Sequence, residues 1–328
     1  MADQTAIEWT DATWNPTAGC SIVSSGCTNC YAMKVAYRLQ HNPDPNVAGK
    51  YAGLTTKVNG RPVWTGTVRL WPPALQIPLK RRKPTVYFVD SQSDLFHENL
   101  PEADIDRVFA VMARCPQHTF QVLTKRAERM RAYLADRARR EAAWAAHAGA
   151  APVAARGWPL PNVWLGVSVE DQARAEDRIP ALLGTPARVR FLSCEPLIGP
   201  VDLEAVGEPQ QNVLAAGPGA GARVAWVIAG GEGGPDARPM HPAWPRRLRD
   251  QCRRNGAAFF LKQWGNWAPA DGTEAADAAT CLLAPDGTRL SGETGNFSAV
   301  RMARAGKHRT GRHMDGRTWD ELPAAAHR

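Results

Sequence analysis

Three cysteines that stand close together are the residues of this chain best suited to chemistry. Cys20, Cys27 and Cys30 follow a C-x6-C-x2-C spacing. Gly19 and Gly26 precede the first two of them, and glycine tolerates the positive φ angles that a tight loop needs. Cysteine thiolates are soft ligands that favour zinc, copper(I) or iron–sulfur clusters. The spacing therefore predicts that one short loop brings three sulfurs to a metal.

The cysteine loop, residues 19–31, offers three metal ligands and no evident fourth. A structural zinc site needs four protein ligands, and the next candidates along the chain are His41 and Cys115. The fourth position is therefore open. Two alternatives are a zinc knuckle completed by a distant ligand such as Cys194, and a disulfide with one spare thiol. Seven cysteines in 328 residues, without a signal peptide, suit a reducing cytosol and disfavour the disulfide.

Alternating strand and helix patterns must position this loop. From residue 67 onward, short apolar runs alternate with amphipathic stretches, which predicts a parallel sheet covered by helices. The predicted strands are 68–71 (the weakest), 86–90, 120–124, 163–167, 189–193, 224–228 and 258–262. The predicted helices are 32–40, 102–114, 126–146, 170–183 and 242–255. We predict an α/β fold, a TIM-like or partial (β/α) barrel, over residues 1–263.

Polar or glycine residues follow each of the later predicted strands. They are Ser91, Asp94, Lys125, Ser168, Glu170, Cys194, Glu195, Gly230, Gly231, Glu232 and Lys262. In parallel α/β folds the carboxyl ends of the strands meet at the active face, so these residues predict a polar pocket. A single member could instead cap a helix, as Ser168 or Glu170 could for the helix near residue 170. Six groups in register favour the pocket.

The remaining stretches lack a regular pattern. Residues 42–66 predict a surface loop or lid, and residues 202–223 predict a loop insertion. Residues 264–328 predict an irregular, basic C-terminal extension. That extension has two interpretations: a solvated segment packed by Trp319, or a cap that contacts a phosphate-bearing substrate.

Composition narrows the class of protein. A hydrophobic content of 44% is typical of a globular chain, and no run of 18 apolar residues predicts a membrane span. We expect a cytoplasmic protein that does not associate with membranes. The net charge of +8 permits attraction to polyanions without establishing it.

Several sequence runs resemble known proteins. The runs at 93–97, 123–126, 193–197, 230–232 and 262–265 are similar to a phage-associated family of uncharacterised three-cysteine-motif proteins, over nearly the whole chain. The cysteine loop and the segments 86–94, 123–125 and 168–170 resemble the radical S-adenosylmethionine (SAM) superfamily, in particular spore photoproduct lyase-like proteins, over roughly the first 180 residues. Compared with that superfamily's usual C-x3-C-x2-C, the first gap is longer and the aromatic Tyr31 follows the last cysteine.

The radical SAM resemblance implies an enzyme with two cofactors. A 4Fe–4S cluster on Cys20, Cys27 and Cys30 would cleave SAM, and the resulting 5′-deoxyadenosyl radical would abstract hydrogen from a substrate. The resemblance implies these SAM contacts: Lys125 with Ser91 or Asp94 for the amino acid part, and Ser168 with Glu170 for the ribose. Gly230, Gly231 and Glu232 would line the pocket, with SAM contact as a less favoured role. We expect Arg126, next to Lys125, on the helix surface.

Cys194 and Glu195 are the catalytic candidates at the end of a later strand. A thiol there could return a hydrogen atom to a substrate radical, although a buried cysteine is commonly just a small apolar side chain. Glu195 could transfer a proton or contact SAM. The expected partners are an external electron donor and a nucleic acid or nucleotide substrate. The alternative is a non-catalytic, zinc-stabilised nucleic-acid-binding protein, which requires a fourth protein ligand near the cysteines and no polar pocket.

Overall fold

The structure, a computed structural model, describes residues 5–148, 157–215, 222–270, 278–290 and 298–324. Two compact units divide the chain: residues 1–167 with 184–190, and residues 168–183 with 191–328. The predicted boundary between residues 263 and 264 stays a prediction of the sequence. Among the described helices, none is both long and apolar enough to cross a bilayer.

The first unit contains most of the elements in the amino-terminal half. In chain order they are β1 (Ala12–Trp14), β2 (Thr17–Ala18), α1 (Tyr31–Gln40), α2 (Pro45–Tyr51), β3 (Thr55–Val58), β4 (Arg61–Trp64), β5 (Arg69–Leu70), α3 (Gln76–Lys80), β6 (Val86–Val89), α4 (Glu102–Arg114), β7 (Thr119–Thr124), α5 (Ala127–Leu134), α6 (Arg137–Ala148) and most of β8 (Val163–Ser168).

Parallel strands form the centre of the first unit in the order β1-β6-β7-β8. Tyr87 on β6 lies opposite Ala12 on one side and Phe120 on the other. Side chains on these strands are largely buried, which explains their nearly continuous apolar sequences. The predicted helix 126–146 is two helices, because Asp136 caps α6 by accepting a hydrogen bond from the Arg139 amide at 3.0 Å.

The stretch 42–66, predicted as a loop or lid, forms regular structure. Helix α2 begins with Asp44 as its cap, whose side chain accepts from the Asn46 amide. Strands β3 and β4 form a hairpin around Asn59 and Gly60, which both have positive φ. An Asn-Gly pair is a strong hairpin signal, so the sequence held a local indication of this turn.

The second unit contains the remaining elements. They are α7 (Gln172–Leu183), most of β9 (Val189–Cys194), β10 (Trp226–Gly230), α8 (Ala243–Asn255), β11 (Ala258–Gln263), β12 (Trp267–Pro269), β13 (Thr280–Leu283), β14 (Arg289–Leu290), β15 (Val300–Arg304) and α9 (Lys307–Thr310).

Parallel strands β9, β10 and β11 form the centre of the second unit. Trp226 on β10 lies opposite Phe191 on one side and Ala258 on the other. Residues 319–321 run antiparallel along β11, since the Leu261 amide donates to the Trp319 carbonyl at 2.9 Å. Both units therefore confirm the predicted parallel α/β architecture, while the TIM-like or partial barrel stays a prediction.

The prediction that the C-terminal extension is irregular is wrong for the described parts of residues 267–304. There β12, β15, β13 and β14 form a four-stranded antiparallel sheet in that order. Its hairpin turns at Asp286 and Gly287, where glycine adopts φ 95°. Strands of two to five residues carry too little alternation to stand out in the sequence, although Asp-Gly is a hairpin signal. The predicted loop at 202–223 contains neither helix nor strand in the parts that the structure describes.

Candidate functional site

The cysteine loop connects β2 to α1 in the first unit. All seven cysteines of the chain are free thiols, so the structure contains no disulfide there. Cys20 lies close enough to Cys30, and Cys30 to Cys27, for these pairs to interact electrostatically. Within the described ranges, no group of three His, Cys, Asp or Glu side chains is already arranged to hold a metal ion.

Gly19 and the start of α1 fix the two ends of the loop. Gly19 has φ +98°, and a Cβ there would lie 2.0 Å from the Thr67 carbonyl oxygen, so only glycine fits. Its own carbonyl accepts from the Ser93 hydroxyl at 2.7 Å, just beyond β6. Gly26, expected to need positive φ, instead lies in the 3-10 turn Ser25–Cys27. Cys30 is the first residue before α1, where the helix dipole favours negative charge.

Burial raises the pKa of two of these thiols, Cys20 and Cys30. It raises the pKa of Cys20 to about 12; Asp94 raises it further, and the nearby Arg126 opposes both. Burial likewise raises the pKa of Cys30, and Lys125 is the cation that opposes it. A bound metal replaces the proton of a ligating thiol. Two cations therefore stand where they can stabilise the thiolate form.

Arg126 was expected on the helix surface, and that prediction is wrong. Its side chain is only 9% exposed. It donates to Asp94 at 3.0 Å and to the Ser21 hydroxyl at 2.8 Å, and it forms an ion pair with Glu98. The same guanidinium lies 3.9 Å from the Cys20 sulfur. Arg126 thus joins the end of β7 to the cysteine loop, because it is the residue before α5 and its side chain turns inwards.

Ser21 is held by a buried histidine as well. His97 Nδ1 accepts from the Asn99 amide at 3.1 Å, so Nε2 carries the proton and donates to the Ser21 oxygen at 2.8 Å. Ser21 in turn donates to Glu98 at 3.1 Å. A histidine that donates to the serine cannot accept its proton, so the group fixes the residue after Cys20 rather than forming a nucleophile. The Arg126 hydrogen bond also lowers the pKa of Glu98 to about 2.

The predicted SAM contacts of the first unit lie around this cluster. Asp94 accepts from the Thr124 hydroxyl at 2.6 Å and from the Lys125 amide at 3.1 Å, so its carboxylate fastens the end of β7. Ser91 is connected to the cysteine loop, since its carbonyl accepts from the Tyr31 hydroxyl at 2.7 Å. The structure therefore brings Ser91, Asp94 and Lys125 to the cysteine loop.

Ser168 and Glu170, in the second unit, are engaged by an arginine. The wholly buried Glu170 forms an ion pair with Arg178 at 2.8 Å. Arg178 also donates to the Ser168 carbonyl at 2.8 Å. A buried carboxylate without such a partner would be costly, so this pair has a structural reason. The predicted ribose contact stays a prediction.

Glu195 forms an ion pair that the sequence did not predict. Its Oε1 lies 3.1 Å from the Lys262 ammonium, and the Ser193 hydroxyl donates to Oε2 at 3.3 Å. The two side chains are 14% and 19% exposed. A Cβ on Gly230 would lie 2.6 Å from Glu195 Oε1, so this glycine gives the carboxylate room over the end of β10. Lys262 stands at the end of the apolar run of β11, and this position was the only local feature of the sequence that marked it as a site candidate.

The other predicted residues at the ends of β9 and β10 are closely packed or ion-paired. A Cβ on Gly231 would lie 1.9 Å from the Trp264 carbonyl oxygen. Glu232 is 6% exposed and pairs with Arg238 at 2.6 Å. Cys194 is wholly buried, and this burial raises its pKa well above the usual value. Its thiol is therefore neutral.

A protein-family model matches residues 4–323; its description is "Protein of unknown function (DUF5131)". Comparison with curated proteins and with solved structures found no match. The matched range includes the cysteine loop and the Glu195–Lys262 pair.

Proposed function

We propose that this chain, which belongs to the DUF5131 family of proteins of unknown function, is a radical SAM enzyme that acts on a nucleic acid or nucleotide. The observation that carries the proposal is the cysteine loop, with three free thiols and two cations beside them. The TIM-like or partial barrel expected from the sequence belongs to the same proposal.

The residues present fit an iron–sulfur cluster in chemical type. Iron–sulfur clusters are held by cysteine thiolates, and Cys20, Cys27 and Cys30 would supply three of them. Thiolate ligands bring negative charge, which the Lys125 and Arg126 cations and the start of α1 would stabilise. SAM would occupy the remaining coordination position, for which the cysteine loop offers no fourth ligand.

Each residue of the first unit would then have a separate task. Lys125 would pair with the carboxylate of SAM, and Ser91 would hold its amino acid part. Asp94 and Arg126 would keep Lys125 and Cys20 in place through the hydrogen bonds described above. The bound cluster would supply the electron that cleaves SAM. The protein would orient SAM and exclude water. The proposed SAM ribose contact with Ser168 and Glu170 is retained from the resemblance.

Anaerobic preparation tests the proposal. Protein reconstituted with iron and sulfide is expected to contain about four irons per chain, as one 4Fe–4S cluster requires. With SAM and a chemical reductant it should release 5′-deoxyadenosine, measured by chromatography. Stoichiometric zinc without iron in protein purified without oxygen would overturn the proposal in favour of a zinc-stabilised nucleic-acid-binding protein.

The two catalytic candidates are expected to respond differently to substitution. Glu195 is partly exposed beside Lys262, whereas Cys194 is wholly buried. Glu195→Gln removes a charged proton-transfer group and should lower turnover by about 100-fold with unchanged iron content. Cys194→Ala should change turnover by less than about threefold, because a buried thiol of this kind mainly fills space. A changed product in Cys194→Ala would instead support hydrogen-atom return by this thiol.

Glu204→Gln is the matched control for Glu195→Gln. Glu204 pairs with Arg254 at 2.8 Å in the same unit but away from the strand ends. Glu204→Gln removes the same charge and an ion pair of the same kind as Glu195→Gln does. Because Glu204 lies away from the strand ends, turnover should stay close to that of the unchanged protein. Equal losses in Glu195→Gln and Glu204→Gln would contradict a catalytic role for Glu195.

A further inference from the structure

A strongly basic stretch lies near the carboxyl end of the second unit. Residues 301–313, the basic segment, contain five Lys or Arg, two His and no Asp or Glu. The sequence left two interpretations of this region, a solvated extension and a cap over a phosphate-bearing substrate. The two interpretations differ in whether the segment is fastened at the strand ends.

Hydrogen bonds fasten the basic segment to the turn directly after β11. Trp264 donates its amide to the Gly311 carbonyl at 3.1 Å and its indole nitrogen to the His313 carbonyl at 2.7 Å. The Thr310 hydroxyl donates to the Gly265 carbonyl at 2.6 Å. The segment therefore has a defined position beyond the carboxyl end of β11, two residues after Lys262.

The same turn packs on the end of β10. A Cβ on Gly265 would lie 2.2 Å from the Glu232 carbonyl oxygen, and the turn's Trp264 carbonyl is the group that restricts Gly231. Lys262 in turn reaches Glu195, directly after β9. The basic segment consequently borders the carboxyl ends of the parallel strands in this unit, where substrates of α/β proteins bind.

The exposed cations of the segment differ from most other arginines of this unit. Carboxylate partners neutralise four of the five arginines of α8: Arg246 and Arg249 pair with Asp315, Arg247 with Asp202 and Arg254 with Glu204. In the part of the chain that the structure describes, no carboxylate pairs with Arg301, Lys307 or Arg309, and all three side chains are exposed. Three cations of the basic segment thus keep their charge without a described carboxylate partner, while its Arg312 pairs with Asp320.

We propose that the basic segment binds the phosphodiester backbone of a nucleic acid, beside the Glu195–Lys262 pair. Several exposed cations along one fixed segment suit a ligand with regularly repeated charges. The partly exposed carboxylate is neutralised by its lysine and does not cancel this field. The inference rests on the proposed function for the substrate role, since it names where that substrate binds; the binding itself needs no cluster.

Fluorescence anisotropy with labelled single-stranded DNA tests the inference. An oligonucleotide of about 20 nucleotides exceeds the roughly 4 to 16 that a single-strand site covers. Lys307→Gln combined with Arg309→Gln should weaken binding about tenfold at low salt, because two charged contacts are lost. The slope of log affinity against log salt should fall in magnitude by about 1.4, or roughly 0.7 for each phosphate contact.

Arg82→Gln combined with Lys83→Gln is the control. These exposed residues precede β6 at its amino end, and their replacement removes the same charge. This variant should keep the original slope, and both double variants should keep the original unfolding temperature. An unchanged slope in the basic-segment variant, equal losses in the two variants, or no binding by the unchanged protein would overturn the inference. Chelator-treated protein should bind equally well, so a missing cluster affects only the proposed function.

Discussion

Replacing any one cysteine of the cysteine loop by alanine is expected to abolish the iron–sulfur cluster. Cys20→Ala, Cys27→Ala and Cys30→Ala each leave two thiolates, too few to hold the cluster in the proposed manner. Reconstituted variants should contain less than about a tenth of the iron of the unchanged protein and release no 5′-deoxyadenosine. Iron analysis and the visible absorption of the cluster measure the first effect, and chromatography measures the second.

Cys281→Ala provides a matched comparison. Cys281 is also a free, half-buried thiol, but it lies on β13 of the second unit. Its loss removes one sulfur without touching the proposed ligands, so iron content should not change. Full iron content in any of the three cysteine-loop variants would contradict the ligand assignment. Loss of iron in Cys194→Ala would identify a fourth protein ligand and revive the zinc-knuckle alternative.

The buried parallel strands β6 to β11 were predictable because their signal is local. β7, for example, covers 119–124 against a predicted 120–124, and β11 covers 258–263 against 258–262. Strands that are buried on both faces are apolar without interruption, so a short run identifies them. Helix α4 also has a local sequence signal, and its observed bounds equal the predicted 102–114.

The inward turn of Arg126 could not be predicted in this way. The strand end reads Leu-Thr-Lys-Arg, and nothing local says which of two adjacent cations turns inwards. The answer depends on Asp94, 32 residues earlier, and on Ser21, 105 residues earlier. The pairing of Glu195 with Lys262 likewise depends on strands that are distant in sequence. The residue types and the ends of the strands could thus be predicted from the sequence. The side chains with which these residues pair could not, because they are brought together only by the fold.

Arg126→Ala and Lys125→Ala are expected to separate stability from cofactor binding. Arg126→Ala leaves the buried Asp94 carboxylate without its guanidinium, and breaking a buried ion pair typically costs about 3–5 kcal/mol. Lys125 contributes its backbone amide to Asp94, and alanine keeps that amide. Lys125→Ala should therefore change the free energy of unfolding by less than about 1 kcal/mol. Urea unfolding of both variants measures this difference.

Among correctly folded proteins, SAM affinity should show the opposite order: Lys125→Ala should lose more affinity than Arg126→Ala. Lys125→Ala removes the ammonium proposed to pair with the SAM carboxylate, which should weaken binding about tenfold or more in a calorimetric titration.

Arg129→Ala is the stability control for the loss of an arginine: Arg129 donates to the Leu100 carbonyl at 2.6 Å, and its removal leaves no buried charge behind. Its cost should stay near 1–2 kcal/mol. If Arg126→Ala is no less stable than Arg129→Ala, Arg126 does not hold the cysteine loop. If Lys125→Ala binds SAM as tightly as the unchanged protein, Lys125 is not its carboxylate partner.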